Sequence, residues 1–263
     1  MNGKNFRSAL GLRSAAIWPT LFSTLAVIVI LVLCASVVNW EFVGTLDFGA
    51  LWVYRYALWQ GLLNTLTITG ISVSLGMVIG ILLAAGSQQK SRILRWSIIA
   101  YVEIFRNTPL VVQLFWFHFA VPIFTGINTT PFETGFIVIT VQSSAYLSDV
   151  ARAGINGVPK GQWEAADALG LSAKSKWLDI ILPQALRLVI PPLANIGVGY
   201  FKASAVLALL SVGELTTVAS SIARHSLKPI ETYTTVGIIY LILGYILSSM
   251  AFRVEKIFER KDP

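Results

Sequence analysis

Six apolar runs alternate along the chain with short segments where the charges collect. A helix needs about 20 apolar residues to cross the hydrocarbon core of a bilayer. The pattern therefore predicts membrane helices over Ile17–Val38, Gln60–Gly86, Trp96–Val121, Phe132–Ser148, Leu186–Leu210 and Tyr233–Phe252. The first is longer than the 7–15 apolar residues of a secretory signal and reads as an uncleaved anchor. The second is speckled with Gly61, Gly70, Gly76, Gly80 and Gly86, small residues that let helices approach closely in lipid. In the third, Pro109 removes a backbone donor and disfavours a helical Thr108, which predicts a break there.

Composition sharpens this picture. Of 263 residues, 55% are hydrophobic and 13% charged, about half the charged share of a soluble domain. A water-soluble globule is excluded, and the expected class is an all-α transmembrane protein. One cysteine, Cys34, excludes an internal disulfide or a multi-cysteine metal site, and the isolated His118 and His225 have no companion ligands. No metal site, catalytic group or cofactor is expected in this chain. It lacks a GxxxxGK[ST] phosphate cradle, and intramembrane paired aspartates or a Ser/His arrangement are also missing.

The net charge of +7 forms no basic stripe with interleaved aromatics, so nucleic acid is not an expected partner. The charges instead sort by side. With a cytoplasmic N-terminus, fifteen cations lie inside: Lys4, Arg7, Arg13, Lys90, Arg92, Arg95, Arg152, Lys160, Lys174, Lys176, Arg187, Arg253, Lys256, Arg260 and Lys261. Three lie outside: Arg55, Arg224 and Lys228. The positive-inside rule then places both termini in the cytoplasm.

The longest cytoplasmic connection, about Val150 to Leu182, is not built as a linker. Pro159 and Gly161 mark an entry turn, Gln162–Leu169 reads as a short helix stopped by Gly170, and Ser172 is a candidate cap for a second helix ending near Asp179, before Pro183. On the first helix Glu164, Ala165 and Ala166 form a small, nearly flat face where another protein can press close. On spacing alone, an amphipathic helix resting on lipid headgroups is the other reading.

The run Glu164-Ala165-Ala166, with Gly170 four residues on and then Ile181-Leu182-Pro183, strongly resembles the "EAA" loop of ABC-importer permease subunits. Phe105-Arg106-Asn107-Thr108-Pro109, Ala145-Tyr146-Leu147-Ser148-Asp149-Val150 and Pro183-Gln184-Ala185 with Pro191-Pro192-Leu193-Ala194-Asn195 narrow the likeness to polar amino-acid uptake permeases of the histidine/glutamine/glutamate type. It covers about Tyr56 to Lys261. It implies a type I ABC importer permease fold, with a five-helix core at 56–263 and one added N-terminal helix within 1–55. It also implies partners: a cytoplasmic ABC ATPase dimer that hydrolyses the ATP, a second permease subunit, identical or paralogous, and a periplasmic solute-binding protein. The location implied is the bacterial inner membrane. Gly161, Glu164, Ala165, Ala166 and Gly170 would couple the permease to the ATPase.

Ionisable and polar groups inside spans are candidates for the solute path. Arg106, Asn107, Thr108, Gln113, Asn195, Lys202 and Ser204 form this set. Arg106 has a local alternative, pairing with Glu103 or capping the break. Where relatives of this type read Lys-Asp-Thr-Ser-Leu, this chain has Lys202-Ala203-Ser204-Ala205-Val206. The missing carboxylate and the likeness of Lys-x-Ser-Ala to glutamate/aspartate-type members tilt the expected substrate toward acidic or neutral polar amino acids. The alternatives are a basic amino acid or an opine. An autonomous channel or secondary transporter is the remaining rival, and against it no internal repeat is visible.

Overall fold

A computed structural model describes residues 22–30, 32–33, 35–89 and 91–259. Part of the first expected span, Cys34 and the cations Lys4, Arg7, Arg13, Lys90, Arg260 and Lys261 lie outside the described residues. The chain divides into two compact units, Met1–Asp47 and Phe48–Pro263. In the first, Phe22–Val37 is an apolar helix. A five-residue helix follows, Trp40–Gly44, capped by the Asn39 side chain on the Phe42 amide.

The second unit is helical throughout, with no strand among the described residues. A 3₁₀ turn, Gly49–Tyr54, leads into α1 (Arg55–Ser87). Next come α2 (Arg92–Asn107) and α3 (Leu110–Thr125), bent by 106° at Thr108–Pro109. The sequence argument for this break holds: Thr108 is extended at φ −97°, ψ 132° because the following proline crowds a helical conformation. A wider π turn interrupts α3 at Trp116–Ala120. α4 (Pro131–Gly157) opens with a reciprocal cap between Thr130 and Glu133. The elbow helix α5 (Lys160–Ala168) leads to α6 (Ala173–Leu210), α7 (Leu215–Ser226) and α8 (Pro229–Glu259).

Among the described residues three runs are long and apolar enough to cross a membrane, Gly49–Ser87, Ala173–Leu210 and Pro229–Ile257, and the bent pair α2–α3 adds a fourth if it counts as one span. α4, expected as an apolar span over Phe132–Ser148, is longer and more polar than that reading. Thr134, Thr140, Gln142, Ser143, Ser144 and Ser148 are all buried in it. Lipid-facing helices must be apolar, but a helix wrapped by other helices need not be, and α4 is the wrapped one.

Its seam with α1 shows how. A Cβ added to Gly76 would strike Ser143 and the Thr140 carbonyl, and one added to Gly80 would meet Ser144, Leu147 and Ser148 within 3 Å. Gly135 faces Ile68, so the two helices run parallel at close range. Packing of this kind, and not apolar transfer, holds helices together in lipid. Around the seam Ile68, Leu114, Val138, Ile139 and Leu207 close a central core from α1, α3, α4 and α6. At the end remote from the elbow Leu51, Leu58, Leu62, Leu215 and Val236 join the Gly49–Tyr54 turn, α1, α7 and α8.

The loop differs from expectation at its second helix. This helix does not end near Asp179. It passes through a π turn, Lys176–Ile181, into Leu182–Ala203 without a break. Proline normally collides with the carbonyl four residues back. Here Pro183 falls just past the turn where the helix has widened, and the rod continues.

Candidate functional site

The elbow is built from its ends inward. Pro159 caps α5, its carbonyl accepting from the Gln162 amide at 2.9 Å. At the far end Gly170 adopts φ +67°. Its amide donates to the Asp167 carbonyl at 3.0 Å, and the Leu171 amide donates to the Ala166 carbonyl at 3.1 Å. This paired closure needs a left-handed residue, which glycine supplies at little cost. Ser172 then caps α6 on the Ser175 amide at 3.1 Å.

The elbow is fastened to α6. Val158, Ile181 and Ala185 form a small core with Trp163 and Trp177, whose rings meet edge to face at 5.4 Å. Lys176 pairs with Asp167 at 2.5 Å. Of the three residues read as one face, Glu164 and Ala165 are exposed, whereas Ala166 is wholly buried. Ala166 is therefore part of the elbow's own packing. Gly161 is exposed, and Leu169, next to Gly170, is 75% exposed.

A second constellation surrounds the break between α2 and α3. A helix end leaves its last carbonyls without partners, and here side chains from α3 and α4 supply them. The Gln113 amide donates to the Phe105 and Thr108 carbonyls at 2.8 and 3.0 Å. Gln142 donates to the Thr108 carbonyl at 3.0 Å, and the Tyr146 hydroxyl to the Arg106 carbonyl at 2.9 Å. Arg106 itself bridges Glu103 at 3.3 Å and Asp149 at 2.5 Å, and Arg152 also pairs with Asp149 at 2.6 Å. Asn107 binds the Glu103 carboxylate at 2.6 Å, and the Thr108 hydroxyl returns to the Ile104 carbonyl at 2.7 Å.

Four of the expected path residues, Arg106, Asn107, Thr108 and Gln113, are thus gathered at one place. Beside them lies a cavity of about 260 Å³ lined by Gln142, Tyr146, Ile196, Gly199, Tyr200 and Ala203. The other three are apart on α6. Asn195 is exposed. Ser204 is buried and bonded to the Phe201 carbonyl of its own helix at 2.7 Å, so it faces the interior. Lys202 is exposed, and its stem crosses Gly244 of α8 closely enough that a Cβ there would stand 3.2 Å from Cε. Among the described residues Lys202 forms no ion pair.

Gln142, Tyr146, Asp149 and Tyr200 are not among the path residues expected from the sequence, although Tyr146 and Asp149 belong to the family-like run Ala145–Val150. The first three recur at i, i+4 and i+7, one stripe of a helix, which was the available signal. His118 meets the buried Thr134 at 2.9 Å, and no cluster of metal-ligating side chains exists among the described residues.

Beyond the elbow's opposite end, Glu214 is fully buried and caps α7. Its carboxylate accepts from the Thr216 and Thr217 amides at 2.8 and 2.6 Å and from the Tyr240 hydroxyl at 3.1 Å. Burial pushes this carboxyl above the ordinary glutamate value, and the donors only partly oppose that.

A helical bundle thus carries a structured elbow at one end and a clamped break in one of its apolar runs. Residues 76–260 match the family described as "Binding-protein-dependent transport system inner membrane component", and the chain belongs to that family. It is a non-enzymatic permease component of an ABC transporter. A protein of Rickettsia bellii assigned by name to a glutamine transport system as its permease is 39% identical over 197 residues, 75% of this chain and 90% of that protein. The arginine transport system permease protein of Bacillus subtilis is 32% identical over 217 residues, 82% of this chain and 99% of that one. The crystal structure of an amino acid ABC transporter with histidines superposes with a TM-score of 0.77 at 30% identity, covering 81% of this chain and 99% of that chain.

Proposed function

We propose that this permease serves an ATP-driven importer of polar amino acids, and that its substrates are acidic or neutral ones of the glutamate, aspartate or glutamine type. The observation that carries this is the chemistry beside the break. The cavity offers the Gln142 amide and the Tyr146 and Tyr200 phenols, and among the described residues no carboxylate lines it and no acid pairs with Lys202 on α6. A cationic side chain entering a low-dielectric site needs a counter-charge, and an amide or a carboxylate does not need an acidic one.

The partners in this reading are a pair of cytoplasmic ATPases, a second permease, and a solute-binding protein on the face remote from the elbow. ATP is hydrolysed by the ATPases. Each ATPase grips the elbow at Gly161, Glu164, Ala165 and Gly170, with both termini on the same cytoplasmic side. The bound side of the elbow, Ala166 with Val158 and Ile181, supports this division, because it leaves Glu164 and Ala165 outward.

Transport of a basic amino acid is the second reading, and the likeness to an arginine permease favours it. Reconstitution with the cognate ATPase and binding protein in proteoliposomes separates the two. Labelled glutamine or glutamate should accumulate with ATP, and arginine should not compete. Arginine uptake at equal or higher rate overturns the proposal.

A further inference from the structure

The end of the bundle remote from the elbow carries a groove that the transport reading does not use. It lies between the Gly49–Tyr54 turn, the start of α1 and the start of α8, with a volume of about 430 Å³, and its walls include Trp52, Arg55, Leu58, Trp59, Thr235 and Ile239. α1 and α4 run parallel, and α4 leads directly into the elbow, so this groove opens at the opposite membrane face.

Its walls are apolar except at the mouth. There the Arg55 guanidinium lies over the Trp52 and Tyr56 rings, 5.2 and 4.5 Å from their centroids. One guanidinium nitrogen donates to the Trp52 carbonyl at 3.0 Å. Arginine has five N–H donors, so this arrangement fixes the group in place and leaves donors for an anion. Among the described residues no acidic one lines the groove. Trp52, Tyr56 and Trp59 are all more than half exposed, and such aromatic groups mark the level where headgroups meet acyl chains.

We propose that this groove holds one anionic phospholipid, its phosphate on Arg55 and an acyl chain along Leu58, Trp59 and Ile239. Charge decides the occupant. Any bilayer phospholipid can lay a chain against these walls and offer a phosphate, but an anionic headgroup, whose charge no ammonium of its own offsets, best complements a stacked guanidinium that forms no ion pair among the described residues. The ring contacts also strengthen the arginine's hold on its position. A phosphate approaching it meets a preset fork rather than a freely moving charge.

The test uses the full chain in mild detergent, titrated with phosphatidylglycerol or with phosphatidylcholine of the same acyl chains, and read by native mass spectrometry. A basic residue at a membrane surface favours an anionic lipid by about fivefold, and retention of phosphatidylglycerol should exceed phosphatidylcholine by that order. Arg55→Gln should remove the preference, Arg55→Lys should keep most of it, and Trp59→Ala should weaken both lipids equally. Equal retention of the two lipids, or an unchanged preference in Arg55→Gln, overturns the proposal. So does inorganic phosphate alone displacing phosphatidylglycerol, which means a phosphate site without a lipid. If Arg55→Gln loses docking of the solute-binding protein while lipid retention is unaltered, the surface belongs to that protein instead. If Arg55→Gln fails to fold, Arg55→Met takes its place, and an unchanged preference in that variant overturns the proposal.

Discussion

Arg106 and Asp149, forty-three positions apart, meet in a 2.5 Å ion pair that ties the end of α2 to α4. Asp149 shares a helical stripe with Gln142 and Tyr146, which hold the carbonyls of the broken turn. α4 in turn ends at the elbow, so a displacement of the elbow reaches the break through side chains that grip it directly. Both partners of the pair are about one-third exposed, and an ion pair so placed contributes about 1 kcal/mol or less. Asp149→Ala should therefore lower thermal stability slightly while reducing ATP-driven uptake several-fold. The double exchange Arg106→Asp with Asp149→Arg should recover part of that uptake. Uptake in Asp149→Ala equal to the unaltered protein would remove the pair from the transmission path.

The α1–α4 seam predicts a steep size dependence. Gly80→Ala places a methyl group within 3 Å of the Ser144 carbonyl and the Ser148 amide, backbone atoms that cannot step aside. Overpacking of this kind costs about 1–3 kcal/mol. Gly70→Ala meets nothing within 4 Å and should be neutral. Thermal unfolding in detergent compares them, and equal melting temperatures would mean that the seam is looser than described.

On the elbow, two adjacent alanines should behave differently. Ala165→Asp alters an exposed position and should leave the melting temperature unchanged while weakening co-purification of the ATPase. Ala166→Asp buries an unpaired carboxylate among apolar neighbours, and it should lower stability by several kcal/mol as well as attachment. Identical outcomes for the two would contradict the inward orientation of Ala166.

Glu214 predicts a pH effect. A carboxyl whose folded value is raised is held more favourably in its protonated form. Its contribution is thus complete below the unfolded value, near 4.5, and is lost as pH rises through the folded one. The unfolding free energy of the unaltered protein, measured relative to Glu214→Gln, should therefore increase as pH falls from neutrality toward the ordinary glutamate range. A difference that stays flat, or decreases on acidification, would mean that the amide donors to Glu214 outweigh its burial.

Much of the architecture could be read from the residues because its causes are local. Pro109 dictated the break, Gly170 the stop of the elbow helix and Ser172 the start of the next. The interior of α4 was less accessible: its serines and threonines lower its apolar character for the very reason that other helices cover it, and coverage is a tertiary fact. The course of α6 past Pro183 was hidden similarly, since the π turn that accommodates the proline leaves no mark in composition. At the break, Arg106, Asn107, Thr108 and Gln113 announced themselves as polar groups in an apolar run. Their partners Gln142, Tyr146 and Asp149 sit in a helix already rich in polar residues, and although the last two fall in a family-like run, nothing local shows that they grip the break. Ser204 reads as a path candidate within the run that begins at Lys202, but nothing local reveals that its hydroxyl turns back onto Phe201.

The unbroken backbone of α6, from Ala173 in the elbow to Leu210, locks together two angular settings. Each inserted residue would rotate everything beyond it by about 100° and advance it by about 1.5 Å. The side chains of Tyr200 and Lys202 therefore point where they do only in phase with Trp177 and Ile181. Grafting another permease's elbow onto this span would succeed only when the junction preserves that phase, the π turn included, and a one-residue deletion at Lys176–Ile181 should scramble the distant cavity without touching any residue that lines it.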